Sequence, residues 1–242
     1  MKKTHLIILS LFLTSAIIIT ATVITYKALT VPKSKKYVVE TIEANSKGYI
    51  KVGIISDAQL PQEEKNLYGW DYATVMNGAD HLIKALKYYK SQNVDMIVFN
   101  GDMVNATGDY AAYSAYNKIL DYVYGEDRAE APHIIYPMGN HEFYGGNQEH
   151  NFYKSTGLPL NTRTIVNGYS FISISNSKLE KGDEELAESN DTLADGTYNE
   201  KRIEFLKEQL AAANTEDPNK PIFVFIHMPI SNIVNGGHWA TP

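Results

Sequence analysis

The chain has 242 residues, 44% hydrophobic and 21% charged, with a formal charge of −6 and no cysteine. That composition is ordinary for a globular protein. It excludes disulfides and thiolate metal sites, leaving any metal to His, Asp, Glu, Asn or Gln. Lys2, Lys3, Lys27, Lys33, Lys35 and Lys36 all lie in residues 1–36, which carry no acid, so the remainder sets 16 basic against 28 acidic residues. A body that acidic repels a phosphate backbone, so duplex nucleic acid is not an expected partner, whereas metal cations are attracted.

Residues 1–5 form a basic flank. Residues 6–26, "LIILSLFLTSAIIITATVITY", are uncharged. At about 1.5 Å rise per residue, such a run is long enough to cross a hydrocarbon core of about 30 Å. It reads as a transmembrane anchor or signal peptide, with membrane contact through this segment and the body extracytoplasmic. Residues 27–48 read as a polar tether, and the folded body is expected over 49–242.

Within the body, "YIKVGIISD" is a β-branched apolar run, hence a buried strand ending at Asp57. "ADHLIKALKYYKSQN" places Leu82, Ile83, Leu86 and Tyr89 on one helical face. "VDMIVFNGD" predicts a second buried strand ending at Gly101-Asp102. "DYAAYSAYNKILDYVYG" predicts a helix closed by Gly125. "HIIYPMGN" predicts a third strand ending at Asn140. "RTIV" and "YSFISIS" form a hairpin around Asn167-Gly168. Residues 177–196 make an acidic loop. A helix starts after Thr197 with Glu200 as its capping-box partner, and "KPIFVFIH" predicts another buried strand, ending at His227. Alternating buried strands and helices predict an α/β layered fold with much parallel pairing.

Four apolar strands therefore end in potential ligands: Asp57-x-Gln59, Gly101-Asp102, Gly139-Asn140-His141 and His227. Asp or Asn after a strand is a common turn residue, so no single position decides; the ordered set does. In open α/β sheets, ligands bind beyond the carboxyl ends of the strands. Carboxylate, amide and imidazole together suit divalent Zn, Mn or Fe.

The series D-x-[H/Q], G-D-x-x, G-N-H-[D/E] and a strand-ending His resembles the calcineurin-like metallophosphoesterase superfamily, over residues 50 to about 230. The resemblance implies a four-layer α-β-β-α sandwich holding two divalent metal ions (Mn, Zn or Fe), and a hydrolase of phosphate mono- or diesters. It implies that Asp57 and Gln59 bind one ion, with Gln59 where a His is usual. Asp102 would bridge, and Asn140 and His227 would bind the second. His141 would protonate the leaving oxygen, with Glu142 accepting its other N–H as a catalytic partner. Asn140, His141, Tyr144 and His238 would line the phosphate-ester substrate.

The superfamily's closing G-H-x-H is not found: His238 follows a Gly, but Trp239 is followed by Ala240. The expectation is a domain truncated at its C-terminus with impaired activity. The alternative is an inactive fragment or pseudoenzyme acting as a surface or binding protein.

Overall fold

The apolar runs fold as strands and the 3.6-period runs as helices. The computed structural model describes residues 37–45, 48–60, 72–105, 110–143, 148–175 and 200–228. All belong to the second of the chain's two compact units, Lys35–Pro242. The apolar run 6–26, the acidic loop 177–196, Thr197, Tyr144 and His238 lie outside the described residues. Among the described residues no helix is long and apolar enough to cross a membrane.

Seven strands form two sheets among the described residues. β2 (Val52–Ile55), β3 (Met96–Phe99) and β4 (His133–Ile135) make a three-stranded sheet in that order, wholly parallel. Parallel neighbours need crossovers, and α1 (Tyr72–Ser91) and α2 (Tyr110–Tyr124) supply them. The second sheet runs β1 (Tyr37–Ile42), β5 (Asn161–Val166), β6 (Tyr169–Ile174), β7 (Ile222–Ile226). β5 and β6 pair antiparallel, as the hairpin reading expects, with Asn167 and Gly168 both at positive φ (51° and 78°). That is the demand of a two-residue turn whose twist matches the strands. α4 (Glu200–Glu216) carries the chain from β6 to the parallel β7.

Period-two alternation sorts the core into three layers of contact. On β3, Ile97 and Phe99 join Leu82 and Leu86 of α1, and Tyr113, Tyr116 and Leu120 of α2, in the largest cluster. Its other face presents Met96 and Val98, which meet Val166 and Phe171 of the second sheet. β6 in turn sends Ile172 and Ile174 outward to Phe205, Leu206 and Leu210 of α4.

The structure differs from the sequence expectation in four places. β2 and β7, expected to be buried, are exposed at Ile54 and at Phe223 and Val224, because each ends its sheet's order among the described residues. The tether expected over 27–48 contains β1, which pairs in parallel with β5 from Tyr37↔Asn161 to Ile42↔Val166. Its "YVVETI" is β-branched and alternates, but it directly follows the lysine-rich "KSKK", which has the composition of a linker. The first helix begins at Tyr72 rather than near Ala79. After the third strand, a 3-10 turn (His141–Phe143) and α3 (Gln148–Thr156) appear, for which the sequence shows no clear helical period.

Candidate metal centre

The loops after β2 and β3 stay paired past the strands' ends. Asp57 N donates to Gly101 O (3.1 Å), Gln59 N to Asp102 O (2.9 Å) and Leu60 N to Met103 O (2.9 Å). This ladder sets Asp57 beside Asp102. It is bent sharply, since Asp57, Gln59 and Asp102 all adopt left-handed φ (57°, 43° and 53°). Non-glycine residues there store of order 1 kcal/mol or more each, a strain that gathers at functional sites.

His227 arrives from the other sheet. Its Nδ1 lies 2.8 Å from the Asn100 carbonyl, which can only accept, so Nδ1 carries the proton. That leaves Nε2 facing Asp102 Oδ2 at 3.0 Å. Burial pushes the imidazole down, but the Asp102 carboxylate, the Asn100 carbonyl and the charge of Asp57 outweigh it, and the group rises from 6.5 to about 9. Ligand atoms of Asp57, Asp102 and His227 all lie within 4.8 Å of one another.

Two glycines make this approach possible. A Cβ on Gly101, at φ +80°, would stand 2.5 Å from His227 Cγ. One on Gly139 would stand 2.7 Å from His227 Cδ2 and 2.8 Å from Asp102 N. The donor set fits a divalent cation. First-row ions sit about 2.0–2.2 Å from N and O ligands, so the three donors need only small movements to share one. Two carboxylates and an imidazole also match the chemistry of Zn, Mn and Fe.

The family profile of the calcineurin-like phosphoesterases matches residues 50–242. The chain belongs to the calcineurin-like phosphoesterase family. Its members are phosphoester hydrolases with a divalent-metal site, as the resemblance implied. A comparison with curated proteins finds no match. Among solved structures the chain is similar to a dimetal phosphatase from Danio rerio, at 17% identity and a TM-score of 0.53, over 75% of this chain and 70% of that one. At that identity the likeness speaks for the fold alone.

Gln59 and Asn140 come near Asp102 through their backbone neighbourhood. Gln59 is held through its backbone to Asp102, and Asn140 lies between Gly139, bonded to Glu142, and His141, whose N donates to Asp102 Oδ1 at 2.9 Å. His141 Nε2 stands 3.8 Å from Asp102 Oδ2, and its side chain is 15% exposed.

Glu142 departs from expectation. It is fully buried. Its Oε2 accepts from Asp102 N (2.9 Å) and Gly139 N (2.7 Å). Its Oε1 accepts from Met103 N (2.8 Å), Tyr136 Oη (2.7 Å) and, at 3.4 Å, Val104 N. Both oxygens are thus engaged by neighbours other than the His141 ring. Glu142 clasps the loops after β3 and β4 together and acts on the backbone. Burial and the Asp102 charge push it up to about 7, against the pull of those donors.

Asn100 and Ser56 also take part, without a ligand-type motif to mark them in the sequence. The Ser56 hydroxyl reaches both the Asp57 carboxylate and, at 3.1 Å, the Asn100 carbonyl. A signal for Asn100 was present: an amide closes the apolar run "MIVFN", as Asn140 closes "HIIYPMGN".

Proposed function

We propose that this chain hydrolyses phosphate mono- or diesters at a dinuclear centre spanning the strand ends of both sheets, within a four-layer α-β-β-α sandwich. The observation that carries the reading is the convergence of Asp57, Asp102 and His227 from three strand ends. In this reading Asp57 and Gln59 would hold one ion and Asn140 and His227 the other, with Asp102 serving both. Two divalent ions, when bound, lower the pKa of a water and neutralise phosphoryl oxygens, which is most of what phosphoryl transfer requires.

The chain's own groups do the rest. Asp102 is held on both sides: its N binds Glu142 Oε2, and its Oδ1 accepts from His141 N. Its carboxylate is thereby oriented before any ligand arrives, which limits reorganisation. His141, partly open to the cleft, gives its proton to the leaving oxygen. Asn140, Tyr144 and His238 complete the substrate side. The run 6–26 tethers the body to a membrane, with the catalytic body on the extracytoplasmic face. Protection of the body from added protease in intact cells would refute that placement.

The test uses the full chain, loaded with Mn or Zn. Ions per chain are counted, and turnover of p-nitrophenyl phosphate and its bis ester is measured. The expected result is bound metal with turnover, and a loss of about 10²–10⁴ in kcat for His141→Ala at unchanged metal content. Bound metal with no turnover of either ester would favour the binding-protein alternative.

A further inference from the structure

The metal centre draws ligands from two sheets that share no strand pairing among the described residues. Asp57 and Asp102 follow β2 and β3, whereas His227 follows β7. Apolar contact between the sheets, as at Val98 and Phe171, is non-directional and fixes their spacing better than their sliding register. Something polar must set where the end of β7 stands relative to the end of β3.

Asn100 is built for that. Its N donates to Ile55 O (2.7 Å), binding it to β2. Its side-chain Nδ2 donates across the gap to Ile226 O (3.0 Å), and its carbonyl accepts from His227 Nδ1 (2.8 Å). One residue thus grips β7 at two successive positions, the second being the proposed ligand. The amide is not there for stability alone. Its Oδ1 is buried with no hydrogen-bond partner among the described residues. Leaving a buried acceptor unsatisfied is costly, and the bond from Nδ2 to the Ile226 carbonyl is what the amide gains against that cost.

We infer that the Asn100 side chain is a positioning residue: by pinning the Ile226 carbonyl it aims His227 Nε2 at Asp102 and the metal. This rests on the metal-centre reading above. Groups that orient metal-bound histidines typically change affinity about 10–100-fold when removed.

The experiment measures zinc affinity of the full chain by competition calorimetry, for wild type, Asn100→Leu and Asn100→Asp. Solvent exchange of the His227 Nδ1–H is followed by proton NMR in the zinc-loaded protein. Asn100→Leu is expected to bind zinc at least tenfold more weakly, with faster Nδ1–H exchange. In a His227→Ala background the same change should cost nothing further. Asn100→Asp separates positioning from charge. It keeps the size, adds negative charge that by itself tightens zinc, and turns the donor into an acceptor facing Ile226 O. Weaker binding supports positioning, and tighter binding overturns it.

Affinity for Asn100→Leu within twofold of wild type would also overturn it, as would an equal loss in the His227→Ala background. Should Asn100→Leu not fold, Asn100→Asp carries the test alone. A wild type that binds no zinc would sink the metal-centre reading itself, a distinct outcome.

Discussion

Replacing Glu142 with Gln keeps the shape of the side chain but exchanges one acceptor oxygen for an NH₂. The carboxylate serves two sets of donors: Asp102 N and Gly139 N at Oε2, and Met103 N and Tyr136 Oη at Oε1. Whichever way the amide turns, one set meets a donor. The milder choice places the NH₂ at Oε1, because the Tyr136 hydroxyl can rotate and accept, which leaves Met103 N as the close-bonded orphan beside the longer 3.4 Å contact of Val104 N. One buried unsatisfied donor costs about 1–3 kcal/mol, so the expected loss is about 2 kcal/mol. Glu142→Ala abandons both sets and is expected to cost about 4 kcal/mol.

Removing the charge returns part of this, with a definite sign. The folded-state pKa of Glu142 is raised from 4.5 to about 7, so its contribution to stability is fully present below 4.5 and lost as pH rises through about 7. The penalty for either variant is therefore larger at the acid end of that window. Urea unfolding of the metal-free protein, followed by circular dichroism at both ends of the window, measures it. A Gln variant within about 0.5 kcal/mol of wild type, the range of an ordinary surface change, would refute the clasp. If that variant instead shifted the pH profile of turnover, the orienting role first expected for Glu142 would be restored.

Three further outcomes are expected. Gly139→Ala sets a methyl 2.7 Å from His227 Cδ2, and should weaken zinc binding by about tenfold or more while costing about 1–3 kcal/mol in urea unfolding. His227, raised to about 9 in the metal-free protein, contributes stability that is full below pH 6.5 and lost as pH rises through about 9; because metal must displace its proton, zinc affinity measured across pH 6.5–9 should climb by up to about tenfold per unit. On β5 the buried Arg163 forms a forked pair with the half-exposed Glu216 and a 3.0 Å bond from Nε to Ser170 Oγ. Glu216→Ala strands a buried guanidinium and should cost about 2–3 kcal/mol, whereas Arg163→Met leaves a carboxylate that water can reach and should cost less, an order that paired urea melts would reveal.

Strand ends were legible because a strand that packs in a layered sheet reads as an apolar run until a polar ligand-type residue interrupts it. "VDMIVFNGD" and "KPIFVFIH" stop where Asp102 and His227 begin, and the fold brings those two side chains together. Less legible were features whose partners lie far along the chain or on the backbone. β1 makes sense only beside β5, some 120 residues on, so its "YVVETI" looked like linker next to its lysines. The bonds of Glu142 were not legible because most of its donors are backbone N–H groups, which leave no mark in a sequence, while an adjacent histidine does. Asn100 is a milder case: the amide was visible, but its target, the Ile226 carbonyl, was not.

The division of the proposed ligands between two sheets has a thermodynamic consequence. Only the docked arrangement of the sheets presents Asp57, Asp102 and His227 to one cation, so an ion that selects it adds RT ln(1 + [M]/Kd) to docking, about 2.7 kcal/mol at a hundredfold excess over Kd. β7 is the strand to watch. It ends its sheet's order, and Phe223 and Val224 on it are exposed. In the metal-free protein β7 is expected to open before the rest, and hydrogen exchange along it should slow when zinc is added. Chelation would then do more than silence the enzyme. It would loosen the end of β7 and leave that strand more open to proteases.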